Sequence, residues 1–316
     1  MIVRRDDADQ VWTTERLLRW TEGYFQRLEL PTPRLDAEVL LAHVLGKKRI
    51  ELYTGYHMLV EPGERARFRS FVERRAKREP VAYITGRREF FSLVFEVSPA
   101  VLVPRPETEH LVDVVLKELG GGEARDEAAA GAAPPSSDAH AAPVPPVLPV
   151  PPVPPVPPVR ILELGTGSGC VAIAVAVNAS SAIVDAVDSS AGALEVARRN
   201  AEAHGASRRV RFFKGDLFAA LPRDAGPYRA VISNPPYVSS ADYGKLMDDV
   251  RLHEPREALL DVKSPGSDGL GFYRAIASGA GSFIEPGGLL AVEVGAGQAP
   301  EVQGIFSAAG WTHRET

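Results

Sequence analysis

An amide, two prolines and an aromatic ring stand side by side at Asn234-Pro235-Pro236-Tyr237, and together they can hold a planar amine. Proline has a fixed φ and no N–H, so this loop is stiff and its carbonyls stay available as acceptors. The Asn234 side chain adds a neutral carbonyl that does not titrate. Two such acceptors suit an NH2 group whose lone pair is delocalised into an amide or an aromatic ring. They fix its direction and stabilise the positive charge it gains as it attacks. Tyr237 can pack on the flat group. In this reading Asn234, Pro235 and Tyr237 are catalytic, and Asn234, Pro235, Pro236 and Tyr237 bind the substrate. Taken alone, the same residues also make an ordinary turn after a strand, so the neighbouring elements decide between the two.

The residues before the loop, Tyr228 to Ser233, are short, β-branched and apolar, which predicts a buried strand with the loop at its carboxyl end. Ligands bind at that edge in open α/β sheets. Three further strands end in chemistry of the same kind. Val159 to Leu164 leads into Gly165-Thr166-Gly167-Ser168-Gly169 and a helix from about Cys170 to Asn178, with Glu163 just ahead of the loop. Glycine allows close backbone approach, and a helix start offers free N–H groups. The spacing is G-x-G-x-G, unlike the G-x-G-x-x-G of dinucleotide enzymes. Ala182 to Val187 ends at Asp188, placed to bond the hydroxyls of a ribose. Arg209 to Lys214 ends in Gly215-Asp216-Leu217-Phe218, where Asp216 can accept from an adenine amino group and Leu217 can cover the ring. Each Asp alone is equally a loop-start cap. Together the four strand ends describe an adenosine site facing an amine-holding loop, with Glu163, Gly165, Thr166, Gly167, Ser168, Gly169, Asp188, Asp216, Leu217 and Asn234 as the cofactor-binding candidates.

The rest of the chain must position this region. Its 316 residues are enough for two domains, 45% are apolar, and the net charge is -5. No run of eighteen apolar residues and no signal core is present, and Cys170 is the only cysteine, so a reducing cytoplasm is the expected location. Seven histidines show no metal-type spacing, and no metal is expected. An amphipathic helix is predicted from Thr14 to Leu28, with Leu17, Trp20, Tyr24 and Leu28 recurring at spacings of three and four and Leu18 and Phe25 alongside. Two more are predicted, one through Leu35, Val39, Ala42 and Leu45, the other from about Glu64 to Lys77 with Phe68, Phe71 and Val72 inward. Residues 63 to 88 carry nine Lys or Arg against three Glu. That suggests a docking face for an acidic partner, although for the charge run alone a solvated helix face is the preferred reading. A β-hairpin is expected at 89–97, with Phe90, Phe91 and Phe95 in core or over a cofactor, then a helix from Pro106 to about Leu119. From Gly120 to Pro158 the Ala-, Gly- and Pro-rich composition predicts a disordered linker passing into a polyproline rod.

The chain resembles a class I methyltransferase that uses S-adenosylmethionine. More closely it resembles the protein-(glutamine-N5) methyltransferases of peptide chain release factors, the PrmC or HemK family. The resemblance rests on Pro33-Arg34-Leu35-Asp36-Ala37-Glu38, Arg78 to Gly86, Val103-Pro104-Arg105-Pro106-Glu107-Thr108-Glu109, the glycine loop, Asn234 to Tyr237, and Glu254-Pro255-Arg256-Glu257-Ala258-Leu259, in order. It implies an α/β fold: a Rossmann-like methyltransferase domain at 105–316, interrupted at 120–158, preceded by a helical release-factor-docking domain at 1–88 and a hairpin connector at 89–104. It implies class I release factors as partners, with neither membrane nor nucleic acid. The methyl passes directly to the glutamine of a Gly-Gly-Gln loop in translation termination. The family's last strands follow the segment resembling Gly310-Trp311, so the sheet is expected to lack an antiparallel pair, leaving an exposed edge. Ribosomal-protein glutamine methylation, DNA adenine-N6 methylation and a non-catalytic adaptor are the competing readings. Pro104 to Glu109 looks more like the release-factor branch than the ribosomal one.

Overall fold

A computed structural model describes residues 11–120, 157–264 and 268–314. The chain divides into two compact units. One holds the residues up to Pro104 together with Pro236–Phe272, the other Arg105–Pro235 and the residues from Tyr273 onward. The Ala/Pro-rich stretch expected at 120–158 lies outside the described residues apart from Gly120, Pro157 and Pro158. No helix among the described residues is long and apolar enough to cross a membrane.

In the first unit, α1 (Thr14–Arg27) starts at Thr13, whose side chain accepts from the Arg16 N–H, and α2 (Pro33–Leu45) ends on Gly46 in the left-handed conformation at φ 63°. The short helices α3 (Arg49–Thr54) and α5 (Val81–Thr85) flank α4 (Pro62–Ala76). Five- and six-residue helices hold too few turns for periodicity to reveal them, which is why the sequence reading passes over α3 and α5. Leu18, Phe25, Ala37, Leu40, Leu41, Phe68 and Val72 form the core.

Two positions of the predicted apolar faces are exposed in the structure. Trp20 is half-exposed and stacks on Tyr24 at 5.4 Å, and Leu35 is also largely exposed. Helix α2 packs against both α1 and α4, so its buried stripe runs through Ala37, Leu40, Leu41 and Val44, rotated away from Leu35.

The basic run is largely turned to internal use. Arg67 donates to the Val44 carbonyl at 2.9 Å, Arg78 to Leu28 at 2.9 Å and Arg88 to Pro104 at 3.1 Å, while Arg74 pairs with Glu79. Arg75 is buried and bridges Asp36 and Asp249, each at 2.7 Å. These cations cap carbonyl ends and hold loops, more than either a solvated face or a docking face requires. Asp249 belongs to the 236–272 segment, which is tied further by the His253 ring donating to the Lys77 carbonyl at 3.0 Å and by Glu254 accepting from the Val103 N–H at 3.2 Å.

The hairpin pairs β1 (Arg87–Phe90) with β2 (Leu93–Glu96). Its two turn residues, Phe91 and Ser92, have φ of 51° and 62°, the hand that matches strand twist in a two-residue turn. Phe90, Phe91 and Phe95 are buried, with Phe90 and Phe95 edge to face at 6.1 Å, so the aromatic trio is core.

The second unit is a parallel sheet of β3 (Val159–Leu164), β4 (Ala182–Asp188), β5 (Val210–Lys214), β6 (Tyr228–Ser233) and β7 (Ile284–Val292), in the order β5-β4-β3-β6-β7. Helices α6 (Glu109–Glu118), α7 (Cys170–Asn178) and α8 (Ala191–Ala203) belong to it. The strands β3, β4 and β6 and the helix α7 are apolar and buried over most of their length, as a sheet covered on both faces requires. The chain winds outward from β3 to β5, then returns to place β6 on the other side of β3. That reversal opens a crevice at the carboxyl ends of β3 and β6, the position where such sheets bind ligands. This is the Rossmann-like arrangement expected from the sequence. Among the described residues β5 and β7 are the edge strands, and β7 remains only partly buried.

Candidate active site

The glycine loop turns β3 into α7 through three residues of positive φ: Gly165 at 76°, Gly167 at 55° and Gly169 at 79°. They serve two purposes. A Cβ on Gly169 would lie 3.0 Å from the Ile173 side chain and 3.1 Å from that of Ala197, so this glycine clamps the loop onto α7 and α8. A Cβ on Gly167 would project into open space, and one on Gly165 would meet only the Asn234 carbonyl at 3.7 Å. Those two leave a bare backbone cradle of the kind a ligand can lie against. Thr166 and Ser168 are buried, and Asn200 donates to the Ser168 carbonyl at 2.9 Å.

At the end of β4, Asp188 accepts from the Gly167 N–H at 2.8 Å and the Ser190 N–H at 2.9 Å. These two bonds orient the carboxylate at the rim of the glycine loop. Asp216 is exposed at the end of β5, and Leu217 beside it is held at φ 45°, half-buried beside Phe213 and Phe218. A positive φ is unfavourable for leucine, so the surrounding structure holds Leu217 there against its own preference.

Glu163 sits beneath the loop, 4% exposed. Its Oε2 accepts from the Thr166 hydroxyl at 2.6 Å and the Ala172 N–H at 3.1 Å. Burial pushes its carboxyl up from 4.5 to about 8, only partly opposed by these bonds, and the nearby Asp188 charge adds to the rise. Both bonds fall on Oε2, so a proton on Oε1 leaves them intact. An acid whose folded value exceeds its unfolded one lends stability that is complete below about 4.5 and is lost as pH rises through about 8. Glu163→Gln is therefore expected to flatten that part of the stability profile. Urea unfolding of both proteins at pH 5, 6.5 and 8 checks this, and identical pH slopes would refute it.

The strand ends bring the loops together. Leu164 of β3 pairs with Ser233 of β6, and Ser233 with Val292 of β7, so Gly165, Asn234 and Glu293 emerge at one level. The Ser233 hydroxyl donates to the Leu164 carbonyl at 2.8 Å and locks that junction. Asn234 Nδ2 donates to Thr108 Oγ1 at 3.0 Å, and the Thr108 hydroxyl donates to Glu293 Oε2 at 2.6 Å. Burial holds the Glu293 carboxyl above the ordinary carboxylate range, with the Thr108 bond working against it. Neither Thr108 nor Glu293 is among the candidates read from sequence. A signal for Glu293 does exist, since it directly follows the apolar run Leu289 to Val292 at a strand end, as Asp188 ends β4 after Ala186 and Val187. Pro235 is buried, whereas Pro236 and Tyr237 are half-buried and fall within the first unit.

Cavities of about 560 and 370 Å³ open elsewhere, at the amino ends of the strands around Arg160, Arg229 and Arg211. Their cations are paired with Asp185, Glu118 and Glu285, and they take no part in this site. Among the described residues no group of His, Cys, Asp and Glu has the arrangement to hold a metal ion.

Residues 16–86 match the model of the PrmC N-terminal domain, and residues 153–259 match the methyltransferase small domain. The release factor glutamine methyltransferase of Geobacter sulfurreducens is 40% identical over 305 residues, covering 96% of this chain and 92% of that protein. The chain belongs to the release factor glutamine methyltransferase family. Relatives of the same description from Chlorobaculum tepidum and Coxiella burnetii are 37% and 38% identical, over 94% and 89% of this chain. The family assignment makes the second unit an S-adenosylmethionine-dependent methyltransferase, and the glycine cradle with Asp188 has the open backbone and acceptor that such a cofactor needs.

Proposed function

We propose that this chain methylates the side-chain amide nitrogen of the glutamine in the Gly-Gly-Gln loop of class I release factors, in the cytoplasm. The observation that carries the reading is the placement of Asn234 one residue past β6, level with the glycine cradle and fixed by Thr108. The bound cofactor supplies a methyl group on a sulfonium, which is already a good leaving group. What remains for the protein is alignment. Asn234 Oδ1 and the Pro235 carbonyl accept the two N–H groups of the substrate amide, so its lone pair points along the transfer path. As the nitrogen gains the methyl and positive charge develops on it, the same two acceptors stabilise that charge. The nitrogen then loses one proton to water, and no strong base is required. Asp188 and Asp216 hold the ribose and adenine, Leu217 covers the ring, and Tyr237 packs against the substrate amide. The helical bundle of the first unit docks the release factor.

Mass spectrometry of a purified class I release factor, incubated with this chain and S-adenosylmethionine, tests the proposal directly. The expected result is a gain of one methyl, mapped to the Gly-Gly-Gln glutamine. No gain in the presence of demonstrated cofactor binding would reject this substrate.

A further inference from the structure

We propose that Thr108 and Glu293 form a one-way hydroxyl relay that fixes which end of the Asn234 amide faces the substrate. The proposal rests on the substrate-holding role of Asn234 and adds two positioning residues to it. A primary amide is nearly symmetric in shape but opposite in chemistry at its two ends, one a donor and the other an acceptor. Rotated by half a turn, Asn234 would present NH2 to the substrate's own NH2, and the site would repel what it must hold.

The relay prevents that rotation by counting protons, and the Asn234 side chain's own bond to the Glu293 carboxyl acts in the same sense. A threonine hydroxyl has a single hydrogen. Thr108 gives it to Glu293 Oε2 at 2.6 Å. Toward Asn234 it then has only a lone pair, so the asparagine must turn an N–H to it, and Nδ2 does so at 3.0 Å. Oδ1 is thereby left for the substrate. Glu293 holds this direction as the carboxylate, whose oxygens can only accept. Glu293 is itself fixed in place, since its N–H donates to the Ser233 carbonyl at 2.9 Å and its carbonyl accepts from the Tyr273 hydroxyl at 3.0 Å. The 3-10 turn Pro106–Thr108 presents the hydroxyl, and Thr108 is 4% exposed, so water does not compete for it.

Thr108→Val keeps the shape and removes the hydroxyl. It is expected to lower kcat for release-factor methylation about tenfold or more, the scale of losing one directed hydrogen bond at a reacting centre. KM for the cofactor should be unchanged, and Thr108→Ser should restore the rate. A purely structural role would instead leave serine as impaired as valine, or lower cofactor affinity. A second readout does not depend on turnover: in nitrogen-resolved NMR the Asn234 side-chain NH2 should exchange slowly with solvent in the wild type and the serine variant, and quickly in the valine variant. Full activity of Thr108→Val, or equal NH2 exchange in all three proteins, would overturn the relay. If the wild type itself leaves the release factor unmodified, the substrate assignment fails while the NMR comparison still decides the relay.

Discussion

Asn234→Ala is expected to abolish measurable methyl transfer while leaving S-adenosylmethionine binding within a few-fold of wild type. The substitution removes the neutral acceptor that holds the substrate nitrogen, and also the partner that Thr108 accepts from at 3.0 Å. The loss of one preorganised hydrogen bond to a group that gains charge in the transition state is worth about 10² to 10³ in rate. Misorientation of the amide adds to it, because transfer along a line tolerates little angular error. The backbone of Asn234 is unaffected by the change, and so is its carbonyl, 3.7 Å from where a Cβ on Gly165 would stand. The cofactor cradle should therefore persist. Single-turnover methylation gives the rate, and calorimetric titration with S-adenosylmethionine gives the affinity. Wild-type turnover in the variant would remove the amide-holding role, and lost cofactor affinity would show that Asn234 acts on the cofactor as well.

Much of this site is legible in the sequence because each part of it follows a strand. A short apolar run that stops at glycine, aspartate or asparagine announces both an element and its functional end, and β3, β4, β5 and β6 all do so. The Thr108–Glu293 relay is less legible. Its members are 185 residues apart, and their meeting depends on β7 lying beside β6, a pairing that hydrophobic pattern alone does not reveal. The rotated stripe of α2 fails for a related reason. Apolar residues lie on more than one side of that helix, and only its neighbours α1 and α4 determine which side is buried. The grouping of residues 236–272 with the N-terminal bundle depends on buried charge pairs, and in sequence Arg75 is one more cation in a basic run.

That arginine yields the largest expected effect on stability. Arg75→Met should destabilise the first unit by about 3–5 kcal/mol, the usual consequence of leaving buried charge without its counter-ion. Arg75 is 3% exposed and answers two carboxylates, Asp36 of α2 and Asp249 of the 236–272 segment, besides donating to the Glu79 carbonyl at 3.2 Å. Methionine fills much of the same volume, so the effect reports the charge and its bonds more than a cavity. With the arginine gone, Asp36 is left buried without its cation and Asp249 is left with Arg78 at 4.0 Å, and the simplest relief is for the Asp249 segment to pull away. That segment begins at Pro236, immediately after the Asn234-Pro235 acceptors, so its release should slow methyl transfer even at temperatures where the protein stays folded. Urea unfolding gives the stability and steady-state methylation gives the rate. Adding Asp36→Asn and Asp249→Asn to the methionine variant should recover a large part of the stability, because neutral amides need no counter-ion. A single variant as stable as wild type would mean the pair contributes nothing net. A triple variant no better than the single would place the loss in packing.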